Sequence, residues 1–122
     1  MFSFLTKSFL REAEKIGISD GDCKEAIAKA ERGLIDANLG GGLIKQRIPV
    51  GNRGASKGAR AIIFYRRGDL SVFLHAFGKG DKANLSMSEL EIYLEAARAL
   101  ATISEKELQA AVSQKGWRRL EP

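Results

Sequence analysis

Apolar residues change their spacing twice along this chain. Leu5, Phe9, Ala13 and Ile16 recur at helical intervals, and Gly17 stops the pattern where a left-handed cap is least strained. Ser19 opens a second helical stretch, with Asp20 and Asp22 in its first turn facing the positive end of the dipole. Cys23, Ala26, Ile27, Ala30 and Leu34 form the buried stripe of that helix. The spacing predicts an antiparallel pair of short helices joined at Gly17-Ile18. Ahead of them, Phe2-Ser3-Phe4 alternates as a short edge strand would.

Gly40-Gly41-Gly42 breaks the helical period, and alternation takes over. Leu43–Ile48 alternates loosely, while residues 59–67 and 70–77 are rich in β-branched and aromatic side chains. Arg67-Gly68-Asp69 between the last two is a hairpin turn whose glycine supplies a positive φ. Residues 51–58 carry three glycines with Asn52 and Ser56, and read as a flexible loop. After Gly80 the helical period returns: Leu90, Leu94, Ala97 and Ala101 share a stripe, with Ser88 as N-cap and Glu91 three residues on. Ser104 and Glu107 make a second capping box ahead of Leu108, Ala111 and Val112, and Gly116 ends that helix. The expected fold class is α+β: two N-terminal helices, a small antiparallel sheet of three to four strands, then C-terminal helices.

At 122 residues the chain is expected to be one domain: residues 1–42 helical, 43–82 the β-meander, 83–122 helical. No apolar run is long enough to span a membrane, and the first ten residues do not read as a secretory leader. A lone cysteine, Cys23, cannot form an internal disulfide, which fits a reducing, cytoplasmic setting. Charge is more telling once it is located. The net charge is +5, yet residues 43–82 alone carry +7, from Lys45, Arg47, Arg53, Lys57, Arg60, Arg66, Arg67, Lys79 and Lys82 against Asp69 and Asp81. The flanking segments are each slightly acidic. The middle third is therefore a candidate anion-binding face, with plain solubilising charge as the alternative.

Candidate chemistry narrows accordingly. One His and one Cys cannot build a typical zinc site, and no cofactor motif fits. His75, between Phe73 and Phe77 on one strand face, is either a packed core histidine or a site residue. Cys23 on an apolar stripe is a buried thiol rather than a nucleophile. The glycine loop lacks Walker order; it is a surface connection or a mobile arm carrying Arg53 and Lys57 to a polyanion. Lys45 and Arg47, two apart, share a strand face. In a meander, Arg47, Arg60 and Lys79 should gather at one end of the sheet. Like charges so gathered repel unless an anion lies between them, and the backbone of RNA or DNA is the natural candidate.

The motifs Gly40-Gly41-Gly42-Leu43-Ile44-Lys45-Gln46-Arg47, Ser56-Lys57-Gly58-Ala59-Arg60, Phe64-Tyr65-Arg66-Arg67-Gly68-Asp69 and Phe77-Gly78-Lys79-Gly80-Asp81-Lys82-Ala83-Asn84 resemble the RelE-type toxins of bacterial toxin–antitoxin pairs. Within that superfamily the chain is most similar to the HigB-like branch, over about residues 1–105. The resemblance implies a RelE-like fold and an endoribonuclease that cleaves translated messenger RNA in the ribosome without a metal. In such cleavage the 2′-hydroxyl attacks the adjacent phosphate. Basic side chains stabilise the charge of the transition state.

By motif, Lys45 and Arg47 match the family's basic pair, Arg60 its strand-opening arginine, and Lys79 and Lys82 its basic turn. Arg53, Lys57, Lys82 and His75 are the further RNA-binding candidates. The implied partners are a cognate antitoxin with a helix-turn-helix domain, the ribosome and messenger RNA. Two departures stand out: Ala59 replaces an aromatic, and Ser86 lies near where some relatives carry a tyrosine or histidine. His75 or Tyr65 could substitute. The alternative is a ParE-like gyrase inhibitor or a catalytically weak nucleic-acid-binding homologue. Trp117 either packs on the last helix or meets a partner.

Overall fold

The computed structural model describes residues 1–50, 58–78 and 84–121. The elements run β1 (Phe2–Leu5), α1 (Lys7–Ile16), α2 (Asp20–Glu31), β2 (Ala37–Gly40), β3 (Leu43–Ile48), β4 (Ala59–Arg66), β5 (Leu70–Gly78), α3 (Met87–Ala101), α4 (Glu105–Gln114) and β6 (Arg118–Leu120). The class is α+β, as expected, but the sheet is larger and mixed. Six strands lie in the order β2-β3-β4-β5-β1-β6, with β1 parallel to β5 and the other pairs antiparallel. Phe2-Ser3-Phe4 is thus an interior strand, not an edge one. It is flanked by β5 on one side and on the other by β6, which is drawn from the C-terminal segment.

Local signals set the helix ends. The Thr6 hydroxyl accepts from the Phe9 N–H and itself donates to the Phe73 carbonyl at 3.0 Å, capping α1 and tying it to β5 at once. Gly17 closes α1 at φ +94°, as its position predicted. Ser19 with Asp22 and Ser104 with Glu107 form reciprocal capping boxes. The third such box is Ser86 with Glu89, two residues ahead of the expected Ser88 cap, so α3 starts earlier. Its inward stripe ends on Ala97 and Leu100, leaving Ala101 exposed, and Val112 and Leu34 are also exposed rather than buried.

Helices cover both faces of the sheet, which is why β4 and β5 read as nearly unbroken apolar runs. On one face Ile44, Ile48, Ala59, Ala61, Ile63 and Phe73 meet Phe9, Ala13, Cys23, Ala26 and Ile27 of α1 and α2. On the other, Leu43, Ile62, Phe64, Val72 and Phe77 meet Ala97, Leu100 and Leu108 of α3 and α4. Gln46 is fully buried on the first face, and its amide is fully used. Nε2 donates to the carbonyls of Ala26 and Leu34 at 3.0 and 3.1 Å, and Oε1 accepts the Asp36 N–H at 2.8 Å. That one side chain fixes α2 and the entry to β2 against β3. Trp117 lies against the second core, its ring 6.5 Å from that of Phe4 on β1, with its N–H bonded to the Ala111 carbonyl of α4.

A break in register on β5 decides which residues face the site. Ile63 pairs with Phe73 but Ile62 pairs with His75, so Leu74 is the extra residue of a bulge. Phe73 therefore enters the α1/α2 core, while Phe77 enters the α3/α4 core. The expectation that Phe73, His75 and Phe77 share a face fails at this bulge; His75 and Phe77 lie on the α3 side.

Candidate anion-binding site

The basic residues of the meander sort by register. Arg47 on β3 is the direct partner of Arg60 on β4, which in turn pairs with Phe77 on β5. One row further in, Lys45 pairs with Ile62 and Ile62 with His75. Opposed residues place their Cβ atoms about 5 Å apart on one face. Arg47, Arg60 and Lys45 thus share the α3 side of the sheet, at the end where β3 stops and β4 begins. His75 lies on that side too. Lys79, Lys82, Arg53 and Lys57 lie outside the described residues.

Each described cation is held differently. Arg60 is only 8% exposed, and its guanidinium donates to the Ala59 carbonyl at 3.2 Å. Lys45 is half-buried and donates to Asn84 Oδ1 at 2.6 Å, which binds the segment before α3 to the sheet. Arg47 has an exposed side chain, and its backbone N–H donates to Asp36 Oδ2 at 2.6 Å. Gly58 seats the start of β4: a Cβ there would lie 2.2 Å from the Ile48 carbonyl oxygen, so only glycine lets the strands close up ahead of Arg60.

The two departures acquire a geometry. Ala59 is fully buried against α1 and α2, on the face opposite Arg60, so that position cannot meet a base stacked beside the arginine. Ser86 is spent as the N-cap of α3. Tyr65 also faces α1 and α2, where its hydroxyl donates to Glu31 Oε2, and it does not substitute. Burial, followed by that carboxylate, pushes the Tyr65 phenol up to about 12. Cys23 is buried with its thiol pushed up to about 12 by desolvation, as an inert core residue would be.

Sequence reasoning missed three residues here: Glu12, Asn84 and Tyr93. Tyr93 stacks on His75 with ring centroids 5.3 Å apart and planes at 16°, and Phe77 adds a third ring 5.5 Å from the imidazole. Desolvation, then Glu12 and Glu89, raise the Tyr93 phenol to about 12. The available signal was an aromatic on a helix downstream of the last meander strand, seven residues beyond Ser86 and hence on the same helical face. The acidic partner on α1 had no signal, because 63 residues separate Glu12 from His75.

Two basic residues of the middle third do not join the cluster. Arg66 pairs with Asp69 at 2.9 Å and donates to the Ala101 carbonyl, and Arg67 follows it at the other end of β4, about 20 Å from Arg60 by strand rise. A groove of about 570 Å³ lies at that far end, lined by Phe2, Phe4, Leu70 and Val112. Arg66, Asp69, Glu105 and Arg119 also line it, and it lies away from Lys45, Arg47 and Arg60. Among the described residues no group of three or more His, Cys, Asp or Glu is placed to hold a metal ion. Those same residues contain no helix long and apolar enough to cross a membrane.

The comparison with known families agrees with the motif resemblance. The model of the RelE toxin of the RelE / RelB toxin-antitoxin system matches residues 1–119. No curated protein matches the chain. The match runs from β1 into β6, ending one residue before that strand does. The chain accordingly belongs to the RelE toxin family, as the toxin of a toxin–antitoxin system whose partner is an antitoxin.

Proposed function

We propose that this toxin, of the HigB-like branch, is a ribosome-dependent, metal-independent endoribonuclease that cleaves messenger RNA and so inhibits translation. The observation that carries the proposal is the cross-strand pairing of Arg47 with Arg60, with Lys45 two residues along the same face. Three cations on one rigid sheet surface match a bent ribose-phosphate better than they match one another. The 2′-hydroxyl attacks the adjacent phosphorus, forming a cyclic phosphate and releasing a 5′-hydroxyl. Negative charge builds on the phosphoryl oxygens in that step. A buried, pre-oriented guanidinium stabilises it without reorganising, which assigns Arg60 the central role. Lys45, Arg47 and Lys79 position and neutralise the phosphate, and Arg53, Lys57, Lys82 and His75 extend the contact along the RNA. The antitoxin, a helix-turn-helix protein, masks part of this face.

Ser86 as a helix cap, rather than a tyrosine or histidine side chain facing the RNA, favours a second reading: a ParE-like gyrase inhibitor or a catalytically weak nucleic-acid-binding homologue. Primer extension on cellular messenger RNA after induction separates the two. Cuts in phase with codons support the nuclease. Intact messages accompanied by DNA-damage signalling support the inhibitor and overturn the nuclease.

A further inference from the structure

β1 pairs with β5 only as far as Phe73, so the second half of β5 has no strand on that side. α1 takes the place of one. The Glu12 carboxylate accepts the Ala76 N–H through Oε1 at 3.1 Å, and its Oε2 lies 2.8 Å from His75 Nδ1. One carboxylate thus bridges the β5 backbone and the imidazole, and fixes the ring plane from α1. Nε2, at the opposite side of the ring, is buried with no hydrogen-bond partner among the described residues. Among the described residues Glu12 is the hydrogen-bond partner that sets the ring's orientation, and Tyr93 lies nearly parallel upon that ring.

We propose that Glu12 is a positioning residue for nucleotide binding: by fixing the His75 imidazole it holds Tyr93 flat beside the Lys45, Arg47 and Arg60 cluster, as a shelf on which an unpaired RNA base stacks. This rests on the RNA-directed reading above and adds its base-contacting half. The rings and the cations lie in adjacent rows of the same sheet face, with Arg60 and His75 diagonal neighbours, at Cβ separations of about 7 Å in such pairs. A base on Tyr93 and its own phosphate on Arg60 are therefore compatible. Single-stranded RNA is recognised by this combination of a flat ring beside a cationic track. If the imidazole turned freely, Tyr93 would tilt with it, and the stacking surface would have to be ordered at the moment of binding.

The test is a mutant cycle on the full-length toxin, freed of antitoxin, read by fluorescence anisotropy with a labelled single-stranded oligoribonucleotide. Tyr93→Leu weakens binding by about 5- to 100-fold, the range for one base–aromatic stack, while Tyr93→Phe stays near wild type. Glu12→Ala weakens binding in the wild-type background. In a His75→Phe background, where the ring packs without needing a hydrogen bond, adding Glu12→Ala weakens binding no further. Urea unfolding of each variant separates lost binding from lost folding. Wild-type affinity in Tyr93→Leu, or an equal Glu12→Ala effect in both backgrounds, overturns the proposal, as does a loss that merely follows the unfolded fraction. Intact messenger RNA in cells with this cycle as described removes the nuclease reading and keeps the shelf.

Discussion

Arg47 and Arg60 stand directly opposite each other across β3 and β4. Like charges in opposed positions destabilise a sheet, here on the side where Lys45 adds a third cation. An anion lodged between them is attracted by both. Sulfate or phosphate should therefore raise the melting temperature of this protein more than chloride at equal ionic strength, through binding to the folded state. Arg47→Gln should shrink that anion-specific rise while leaving the salt-free melting temperature equal or higher. An identical sulfate response in Arg47→Gln would show that the pair holds no anion.

Gln46 uses both ends of its amide to join α2 and the β2 entry to β3. Gln46→Leu keeps the size but removes all three hydrogen bonds: the Ala26 carbonyl keeps its place in the α2 ladder, whereas the part-buried Leu34 carbonyl and Asp36 N–H lose this partner. The expected loss is about 2 kcal/mol in urea unfolding, the scale for buried polar groups deprived of a partner. A variant as stable as wild type would mean that the amide network is not what fixes this junction.

At Gly58 the available space is smaller than a methyl group, with the Ile48 carbonyl oxygen 2.2 Å from where a Cβ would sit. Gly58→Ala should lower stability by about 1–3 kcal/mol through forced separation of β3 and β4. Because Arg60 follows two residues later, toxicity should fall further than the folded fraction does. Equal losses of folding and toxicity would contradict a positional role for the glycine.

Acid should loosen β6. Arg118 donates both terminal nitrogens to Asp20 at 2.9 Å, and that hydrogen bond holds the Asp20 carboxyl below its usual 3.8 despite some desolvation. A carboxyl lowered in the folded state contributes stability that is present above its unfolded pKa and is lost as pH falls through the folded value. The contribution is thus full near neutrality and disappears below about pH 4. Stability against pH, followed between pH 6 and 2 by the fluorescence of the adjacent Trp117, should fall more steeply in wild type than in Asp20→Asn. Parallel curves would show that the pair does not link β6 to α2.

The helices and the meander were legible because their signals are local. Ser19 and Ser104 cap where the chain turns, Gly17 closes α1, and Lys45 and Arg47 keep their alternation. The sheet's full extent was not legible. β6 has three residues and finds β1 across more than a hundred positions, and the β1–β5 pairing is parallel over nearly seventy. Neither separation leaves a periodic trace. The Leu74 bulge likewise hides in an unbroken apolar run, where shifting one residue changes no pattern, yet it moves His75 to the side of Tyr93 and the cations. The cap falls on Ser86 with Glu89 rather than on Ser88 with Glu91, because two Ser-x-x-Glu signals overlap two residues apart and the local pattern does not rank them.

The central claim, that Arg60 acts on a phosphate undergoing transfer, is tested most directly on programmed ribosomes. Single-turnover cleavage of a messenger RNA in the decoding site is compared for wild type and Arg60→Ala, with both proteins shown to be folded. The account predicts cyclic-phosphate-ended fragments from wild type and a rate about 100-fold or more lower for Arg60→Ala, the loss expected on removing one preorganised charge donor. Cleavage by Arg60→Ala at the wild-type rate would contradict it.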